Sequence, residues 1–337
     1  MSRYIESLWY RISPWHTLLW PLSLVYGAVT AMRRAFYRAG IFKTQFLPVQ
    51  VIVVGNITAG GSGKTPLVIW LAEFLRSSGY SPGVISRGYG REDDGIREAL
   101  TQSNATEIGD EPLLIFRRAM CPVVVGRDRS AAAQTLLQKN PQVNIIISDD
   151  GLQHYKLARD MEICVVDGER GFGTGLRLPA GPLREATARL GEIDALVVNG
   201  DDKNKSIESY SYKHSMKLVG VIFLNLKNPR QQAHAEDFAG KNIHAVAGIG
   251  NPARFFAHLK SLGLSFEQHA FPDHHVFTPQ DLAYENADVV LMTEKDAVKC
   301  ESFANEQCWS LAVSAELDES FGERVLARLK QKKEPGL

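Results

Sequence analysis

Short apolar runs alternate with stretches of helical periodicity from about residue 49 to residue 198. The first run is β-branched and is bounded by Gly55 and Asn56, which is typical of a strand covered on both faces in a parallel sheet. Helical patterns follow at 67–78 and 113–120. The sequence therefore predicts an α/β fold with a mostly parallel sheet flanked by helices. The predicted strands are 49–54, 82–86, 123–125, 144–150, 162–167 and 193–198.

The pattern changes after about residue 201. A polar stretch leads to alternating residues near 216–226, which predict a β-ribbon, and the α/β pattern then restarts with a strand at 241–249. A helix is predicted from Asn251 to Gly263. The predicted organisation is an N-terminal membrane-interface helix in 1–45, a P-loop core domain in 46–205, a β-ribbon linker in 206–240 and a smaller α/β domain in 241–337.

The predicted N-terminal helix carries no charge between Thr17 and Met32, and its apolar residues recur at helical spacing. This run covers roughly 24 Å, less than the roughly 30 Å of a bilayer core. Flanking arginines and aromatic rings favour a helix that lies in, or dips into, a membrane interface. A buried core helix is one alternative; a secretory signal is disfavoured because no cleavage pattern follows. The apolar side comprises Leu18, Leu22, Val25, Val29, Met32 and Phe36, the opposite side Ser23, Gly27, Thr30 and Arg34, and the flanking residues Arg33, Arg34, Arg38, Lys43, Trp9, Tyr10, Trp15, Trp20 and Tyr26.

A glycine-rich loop lies between the first predicted strand and the helix that follows it. Its glycines allow the backbone to wrap around an anion and to point successive N–H groups at it, and the helix adds its positive end. Lys64 would supply a charge for the β- and γ-phosphates of a nucleotide, and the Thr65 hydroxyl a ligand for Mg²⁺. The predicted phosphate-binding loop consists of Thr58, Ala59, Gly60, Gly61, Ser62, Gly63, Lys64 and Thr65.

This loop departs from the usual P-loop pattern at its first position, where Thr58 stands in place of glycine. The structural alternative is a glycine-rich turn with an incidental Lys-Thr pair. P-loop ATPases that partition cargo or act as membrane switches carry a lysine just before the paired glycines. Ala59 occupies that position here and argues against that class.

Two adjacent acids, Asp149 and Asp150, end the predicted strand 144–150. Such a strand resembles a Walker B segment, which delivers a carboxylate to the Mg²⁺ shell of a nucleotide at the carboxyl edge of the sheet. Adjacent residues of an extended chain point to opposite sides, so we expect one of the two, Asp149, to face the metal. The alternative is a pair of capping acids after a core strand.

Several loops carry further candidates. Asp110 lies in a GDEP turn at the start of a predicted helix, where an acid is ordinarily a capping residue, so the residues alone leave its role open. Residues 171–185 are too rich in glycine and proline for regular structure and predict a substrate-binding loop or a lid. The FPDHH segment could suggest zinc, but no further ligand spacing supports a metal there. The loop arginines Arg87, Arg91, Arg127, Arg129 and Arg184 are candidates for phosphate or sugar contacts, although most such residues are simply solvated.

Composition narrows the class of protein. The 337 residues, of which 45% are hydrophobic, suffice for two domains, and the 38 basic and 38 acidic side chains give no excess charge that would indicate nucleic acid as a partner. The four cysteines form no CxxC pair, so a reduced, cytosolic chain is expected. No obligate protein partner is evident.

The motifs GNITAGGSGKTP, SRGYGR, GDEP, DDGLQH, PAGPLRE, FPDHH and TEKDAVK occur in this order, and together they resemble the tetraacyldisaccharide 4'-kinase family of Gram-negative bacteria over nearly the whole chain. The resemblance implies transfer of the γ-phosphate of ATP, with Mg²⁺, to the 4'-hydroxyl of an acylated glucosamine disaccharide 1-phosphate in lipid A synthesis. It also implies work on a membrane lipid at the cytoplasmic face of the inner membrane, with the active site in a cleft between two α/β domains.

The same resemblance implies roles for individual residues. Asp110 matches the family's proposed base, and His274, from the other domain, matches its partner. Such a dyad would assemble only when the domains close. Candidate substrate contacts are Arg87, Arg127, Arg184 and Glu185. Two other functions remain open: a membrane-associated NTPase switch of the partitioning or targeting type, and a cytosolic small-molecule kinase with a merely packed N-terminal helix.

Overall fold

The structure is a computed structural model and describes residues 9–331 with the exception of positions 12, 204, 206, 209 and 211. The α-helices in this part of the chain are α1 (Trp15–Arg38), α2 (Lys64–Ser77), α3 (Ala105–Ile108), α4 (Asp110–Ala119), α5 (Arg129–Lys139), α6 (Pro252–Ser261), α7 (Glu294–Cys300) and α8 (Glu319–Gln331). The strands are β1 (Gln50–Gly55), β2 (Pro82–Ser86), β3 (Arg97–Glu98), β4 (Val123–Val125), β5 (Ile145–Asp149), β6 (Met161–Asp167), β7 (Ala195–Asn199), β8 (Lys213–Asn225), β9 (Gln232–Ala233), β10 (Ile243–Ala247), β11 (Glu267–Ala270), β12 (Val289–Thr293) and β13 (Cys308–Leu317).

These strands form one sheet in the order β11-β10-β12-β13-β8-β7-β6-β1-β5-β2-β4-β3, with β9 alongside β8. The pairs around β1 are parallel, because β1 lies between β5 and β6 and runs in the same direction as both. On the other side of the sheet, β10 pairs in parallel with β11 and β12. The prediction of a mostly parallel α/β sheet flanked by helices is confirmed.

The long strand β8 joins the two halves of this sheet. Its first residues pair in parallel with β7, and from Met216 onward it pairs with β13 in an antiparallel ladder interrupted near Ala312. The alternating residues of the predicted ribbon thus lie within a continuous sheet. The last helix returns to the core around the glycine-rich loop, where Phe321, Val325 and Leu329 pack in the same hydrophobic cluster as Leu67. The domain boundaries stay a prediction.

The carboxyl edge of the parallel strands positions the site. The strand β1 is buried along nearly its whole length and leads directly into the glycine-rich loop. Neighbouring strands end at the same edge in polar residues, namely Ser86, Asp149, Asp167 and Asn199. Ligands of open parallel sheets bind at this edge because loops and helix N-termini converge there.

The helix α1 turns its apolar side outward. Leu18, Val25 and Val29 are 66%, 62% and 52% exposed, whereas Ser23 and Gly27 are buried against the segment near Arg177. The Ser23 hydroxyl donates to the carbonyl of Arg177 at 2.9 Å. The helix is therefore not a buried core helix, which removes that alternative.

Two sequence expectations are wrong. Trp9 is 3% exposed and donates its indole N–H to the Pro179 carbonyl at 3.0 Å, so it is not a ring at a membrane interface. The helix after the GDEP turn begins at Asp110 itself, which puts that carboxylate in the first helical turn.

Candidate active site

The glycine-rich loop takes a shape that requires its glycines. Gly60 and Gly63 have φ angles of +98° and +92°, in the left-handed region that residues with a Cβ atom rarely adopt. A Cβ atom on Gly63 would also lie 2.4 Å from the Asn199 side chain. Gly63 is followed at once by Lys64, the first residue of α2, and Thr65 is half-buried in the first turn. The loop therefore brings backbone amides and the positive helix end to one point.

Residues from distant parts of the chain hold this loop in place. Asn199, at the end of β7, donates its side-chain amide to the carbonyl of Ser62 at 3.1 Å, and Arg170 donates to the carbonyl of Gly61. The amide of Ala59 donates to the carbonyl of Pro182 at 2.8 Å, and Thr58 forms a bridge with Leu183. The glycine- and proline-rich segment 171–185 thus packs beside the loop.

A cluster of charges lies at the first turn of α2. The Lys64 ammonium is 3.5 Å from Asp150 Oδ1, and the Arg184 guanidinium is 3.0 Å from Asp150 Oδ2. Burial by itself would raise the pKa of Asp150, but the two cations hold that pKa below its ordinary value. Asp150 therefore stays ionised and orients both cations beside the phosphate loop.

Asp149 has a different environment. Its Oδ2 accepts a hydrogen bond from the Ser86 hydroxyl at 2.9 Å, while its buried Oδ1 has no partner among the described residues. Burial, together with the nearby carboxylates of Glu111 and Asp150, raises the pKa of Asp149 to about 7. An unpartnered carboxylate oxygen with a raised pKa fits a position that a cation would occupy, because a cation would stabilise the ionised form.

The second cluster joins the two halves of the sheet. His274 Nδ1 is 3.1 Å from Asp110 Oδ2, although the two residues are 164 positions apart. Lys295, from the start of α7, lies 3.8 Å from Asp110, 2.8 Å from Glu111 and 3.5 Å from Asp273. The structure therefore brings together the two residues that the sequence analysis pairs as base and partner.

The charges in this second cluster support one another. Burial by itself would raise the pKa of Asp110, but the hydrogen bond with His274 and the charge of Lys295 lower it to about 2. The same hydrogen bond raises the pKa of His274 above its ordinary value, against the effect of its burial. His274 has a φ of +59°, a backbone conformation that is costly for a residue with a side chain and is concentrated at functional sites.

The two clusters lie close to each other. A Cβ atom on Gly250, which follows β10, would lie 3.2 Å from Asp273 Oδ2 and 3.3 Å from the amide nitrogen of Gly61. Arg254, on α6, pairs with Asp167 at the end of β6 at 3.0 Å. The loop after β10 therefore approaches the phosphate loop from the second half of the sheet, and the site lies between the two halves.

The remaining candidates are more scattered. Arg87 is exposed, and Arg127 pairs with Asp94 at 3.2 Å between two exposed side chains. Arg129 is buried and donates to the backbone carbonyls of Asp149 and Asp150, a contact that holds the strand end. Glu185 is buried and accepts hydrogen bonds from the side chains of Gln153 and Tyr155. Of the four candidate substrate contacts, only Arg184 reaches the cluster around Lys64.

Sequence reasoning missed several residues of the site. Ser86 could have been found, because it ends a strand next to β5 and strand ends of parallel neighbours meet at one edge. Asn199 ends another such strand, but nothing in its sequence pattern connects it to the phosphate loop. Lys295 lies within the TEKD motif, yet its contact with Asp110 depends on the packing of α7 against α4. Tyr89, whose ring lies 5.0 Å from that of His274, gave no signal beyond its loop.

The parallel sheet, the glycine-rich loop with Lys64 at the helix start and the acidic end of β5 together define a P-loop protein of the kinase class. A family model described as tetraacyldisaccharide-1-P 4'-kinase matches residues 15–330 of the chain. The tetraacyldisaccharide 4'-kinase of Methylobacillus flagellatus is 48% identical over 328 residues, which cover 97% of this chain and 96% of that protein. The tetraacyldisaccharide 4'-kinase of Azoarcus sp. (strain BH72) is 47% identical over 329 residues, which cover 98% of this chain and 96% of the relative.

A solved structure is also similar. The crystal structure of LpxK from Aquifex aeolicus, in complex with ATP, matches with a TM-score of 0.79 at 29% sequence identity, over 93% of this chain and 99% of that chain. The chain belongs to the tetraacyldisaccharide-1-P 4'-kinase family. Membership confirms the resemblance carried by the motifs and the prediction of a P-loop kinase fold. The roles of individual site residues stay predictions.

Proposed function

We propose that this protein transfers the γ-phosphate of ATP to the 4'-hydroxyl of a tetraacyldisaccharide 1-phosphate. The observation that carries the proposal is the closeness of two clusters: a phosphate loop with Lys64, and the Asp110–His274 pair 3.1 Å apart. The first fits a phosphoryl donor, and the second fits an acceptor hydroxyl that must lose a proton.

On the donor side, the backbone amides of the loop and the positive end of α2 would bind the terminal phosphates. The Lys64 ammonium, held near the loop by Asp150, would neutralise charge that develops as the phosphoryl group leaves. Arg184, which shares Asp150 with Lys64, stands where it could do the same. Positioning and charge neutralisation are the main contributions that a protein makes to phosphoryl transfer.

Thr65 and Asp149 are the residues proposed to hold Mg²⁺. The fit rests on the buried Oδ1 of Asp149, which lacks a partner among the described residues, and on the raised pKa of that carboxyl. When bound, Mg²⁺ would neutralise negative charge on the nucleotide phosphates. Ser86 keeps the other carboxylate oxygen in place through its hydrogen bond.

On the acceptor side, Asp110 is proposed to accept the proton of the attacking hydroxyl. His274 would orient the carboxylate and, when neutral, would take up the proton that the dyad gains. Lys295 lies close enough to stabilise the negative charge of Asp110 and Glu111. Residues from the two halves of the sheet thus act on the same hydroxyl.

The exposed apolar face of α1 supports the proposal that the protein acts at a membrane surface. Across the described residues, none of the helices combines enough length with enough apolar character to cross a bilayer. Exposed Leu18, Trp20, Leu22, Val25 and Val29 give α1 a lipid-facing side, which suits an acceptor whose four acyl chains keep it in a bilayer. ATP as donor makes the cytoplasmic face of the inner membrane the expected location.

An assay of phosphate transfer tests the proposed reaction. The full chain is incubated with ATP, Mg²⁺ and the monophosphorylated acyl disaccharide in detergent micelles, and the product is analysed for a new 4'-phosphate. We expect ADP to form only when the lipid is present. Equal ATP consumption without the lipid would favour the NTPase switch, and phosphorylation of soluble sugars alone would favour a small-molecule kinase.

A vesicle-binding experiment tests the role of α1. The double variant Val25→Glu/Val29→Glu places two charges on the outward face. We expect its affinity for phospholipid vesicles to fall by about tenfold or more, because charged groups resist entry into the apolar layer. Val221→Glu is the matched control, since Val221 is 54% exposed on β8. Equal binding of all three proteins would contradict an interfacial role for α1.

A further inference from the structure

A third cluster, made of possible metal ligands, lies on the edge strand β11 and its neighbour β10, several strands away from the phosphate loop. Within the described ranges, His244, Glu267 and His269 are the group of three side chains whose ligand atoms all lie within 4.8 Å of one another. The register explains the meeting, because His244 on β10 is paired with Glu267 on β11. Glu267 and His269 are two residues apart on one strand and therefore point to the same face.

The distances in this cluster are close to those around a bound metal ion. His244 Nδ1 and His269 Nε2 are 2.9 Å apart, and the two oxygens of Glu267 lie 3.8 Å and 3.9 Å from those nitrogens. Zinc binds imidazole nitrogen and carboxylate oxygen at about 2.0–2.2 Å, so ligand atoms of a tetrahedral site are about 3.3 Å apart. The separation of the two nitrogens is shorter than this value, and the two carboxylate separations, each to a different oxygen of Glu267, are longer. A turn of the Glu267 carboxylate and a small separation of the two rings would bring one oxygen and both nitrogens onto one ion.

The surroundings hold the two imidazoles ready. The ring of Tyr284 is stacked on His244 at 4.5 Å and on His269 at 4.1 Å, so one aromatic face fixes both rings. His244 is 6% exposed, whereas Glu267 is largely in solvent, which leaves an entry path and an open coordination position. Burial lowers the pKa of His269 and so favours the neutral imidazole that a metal requires.

We propose that His244, Glu267 and His269 form a binding site for a divalent transition-metal ion, with zinc as the ion that fits best, and that this ion fastens β11 to β10. Two imidazoles and one carboxylate with an open position suit Zn²⁺ better than Mg²⁺ or Ca²⁺, which prefer oxygen ligands. The site is separate from the nucleotide and its Mg²⁺.

The position of the site gives the ion a structural role. His269 lies five residues before His274, and β11 ends at Ala270. The backbone of Phe271 then donates to the carbonyl of Ala247 at 2.9 Å, so the loop that carries His274 begins directly beyond the two paired strands. An ion at the base of this loop limits fraying of the edge strand, since β11 has a hydrogen-bonded neighbour on one side only.

Zinc titration of the nucleotide-free full chain tests the proposal. We expect one equivalent of Zn²⁺ to bind, to raise the melting temperature and to slow amide hydrogen exchange in 267–270. The variants His269→Gln and Glu267→Gln should each weaken binding by more than about tenfold, because loss of a ligand exceeds the 10–100-fold effects of outer contacts. His234→Gln, at an exposed histidine of the same half, should bind like the unmodified chain.

Cobalt provides a second measurement that does not depend on stability. Co²⁺ at a site with two nitrogens and one oxygen should give visible absorption bands that disappear in His269→Gln and persist in His234→Gln. If the unmodified chain binds no Zn²⁺, or if His269→Gln binds it as well, the two histidines merely share a hydrogen bond and the proposal is wrong. None of these measurements involves phosphate transfer, so their failure would leave the kinase proposal untouched.

Discussion

The donor and acceptor sides of the site are built in opposite ways. The phosphate loop comes from one contiguous stretch, 58–65, whose shape depends on left-handed glycines and on the start of α2. The acceptor side has no contiguous segment, because Asp110 comes from α4 and His274 from the loop after β11. Only the continuous sheet, with β8 bridging its halves, holds those two residues 3.1 Å apart.

This difference determines how each side should respond to change. On the donor side, Lys64 is proposed to face the nucleotide, so its loss should affect both nucleotide binding and rate. On the acceptor side, Asp110 and His274 are proposed to act on the acceptor rather than on the nucleotide, so their loss should leave nucleotide affinity intact. A comparison of the change in nucleotide affinity with the change in rate for each variant tests whether the two clusters have separate roles.

The largest expected effect is that of Asp110→Asn on turnover. Removing a general base typically costs about 10²–10⁴-fold, and the near-isosteric amide keeps the helix start intact. We expect this loss in kcat with less than about a twofold change in the Kd for ATP, measured by calorimetry. Glu111→Gln is the neighbouring control and should retain most activity, because Glu111 contacts Lys295 rather than His274. A near-normal rate for Asp110→Asn would refute the assignment.

The same contrast explains what the sequence could predict. The phosphate loop, Asp149 and the strand pattern were visible because strands, glycines and a Lys-Thr pair lie within short windows. The separation of apolar and polar residues on α1 also indicated an exposed apolar side. Only the contacts of Ser23 and Gly27, however, excluded a buried core helix.

Long-range packing could not be predicted in this way. The contact between Lys295 and Asp110 depends on the packing of α7 on α4. The packing of α8 in the same hydrophobic cluster as Leu67 depends on Phe321 and its neighbours. The pairing of Asp110 with His274 came from family resemblance, since no spacing along the chain connects residues so far apart. Physical reasoning on short windows therefore predicted the phosphate loop and Asp149, whereas the pairing of Asp110 with His274 was predicted from similarity alone.

The second expected effect is that of Lys64→Met on both rate and nucleotide affinity. Loss of one group that stabilises developing charge typically costs about 10²–10³-fold in kcat. The variant also leaves Asp150 with one cation fewer, so we expect weaker ATP binding, measured by the same calorimetry. Lys64→Arg should recover little activity, because a guanidinium differs in shape from the compact ammonium. If Lys64→Met lost rate alone, the donor and acceptor sides would not differ as proposed.

The third effect concerns the pH dependence of the acceptor side. The hydrogen bond with Asp110 raises the pKa of His274, so at low pH a protonated His274 pairs with Asp110 and leaves it a weak base. As the pH rises through that raised pKa, the neutral dyad can accept a proton, and kcat/KM should rise to a plateau. His274→Gln should be about tenfold slower and should lack this limb. His275→Gln, which removes the adjacent histidine bound to Asp281, should retain it; a limb that persists in His274→Gln would assign the titration to another group.

The smallest expected effect tests the role of Asp149 on the donor side. Burial, with Glu111 and Asp150 nearby, raises the pKa of Asp149 to about 7, while Lys64 opposes that shift. Below pH 7 the carboxyl is protonated and a poor ligand for Mg²⁺, so the affinity for the Mg²⁺ complex of a non-hydrolysable ATP analogue should fall about tenfold from pH 8 to pH 6. Asp149→Asn should bind more weakly at pH 8 and lose this dependence, apart from the titration of the nucleotide itself, which both proteins share. Asp150→Asn should keep the pH dependence of binding but move it to lower pH, because one of the charges that raise the pKa of Asp149 is gone. If the affinity of Asp149→Asn depended on pH as that of the unmodified chain does, Asp149 would not face the cation.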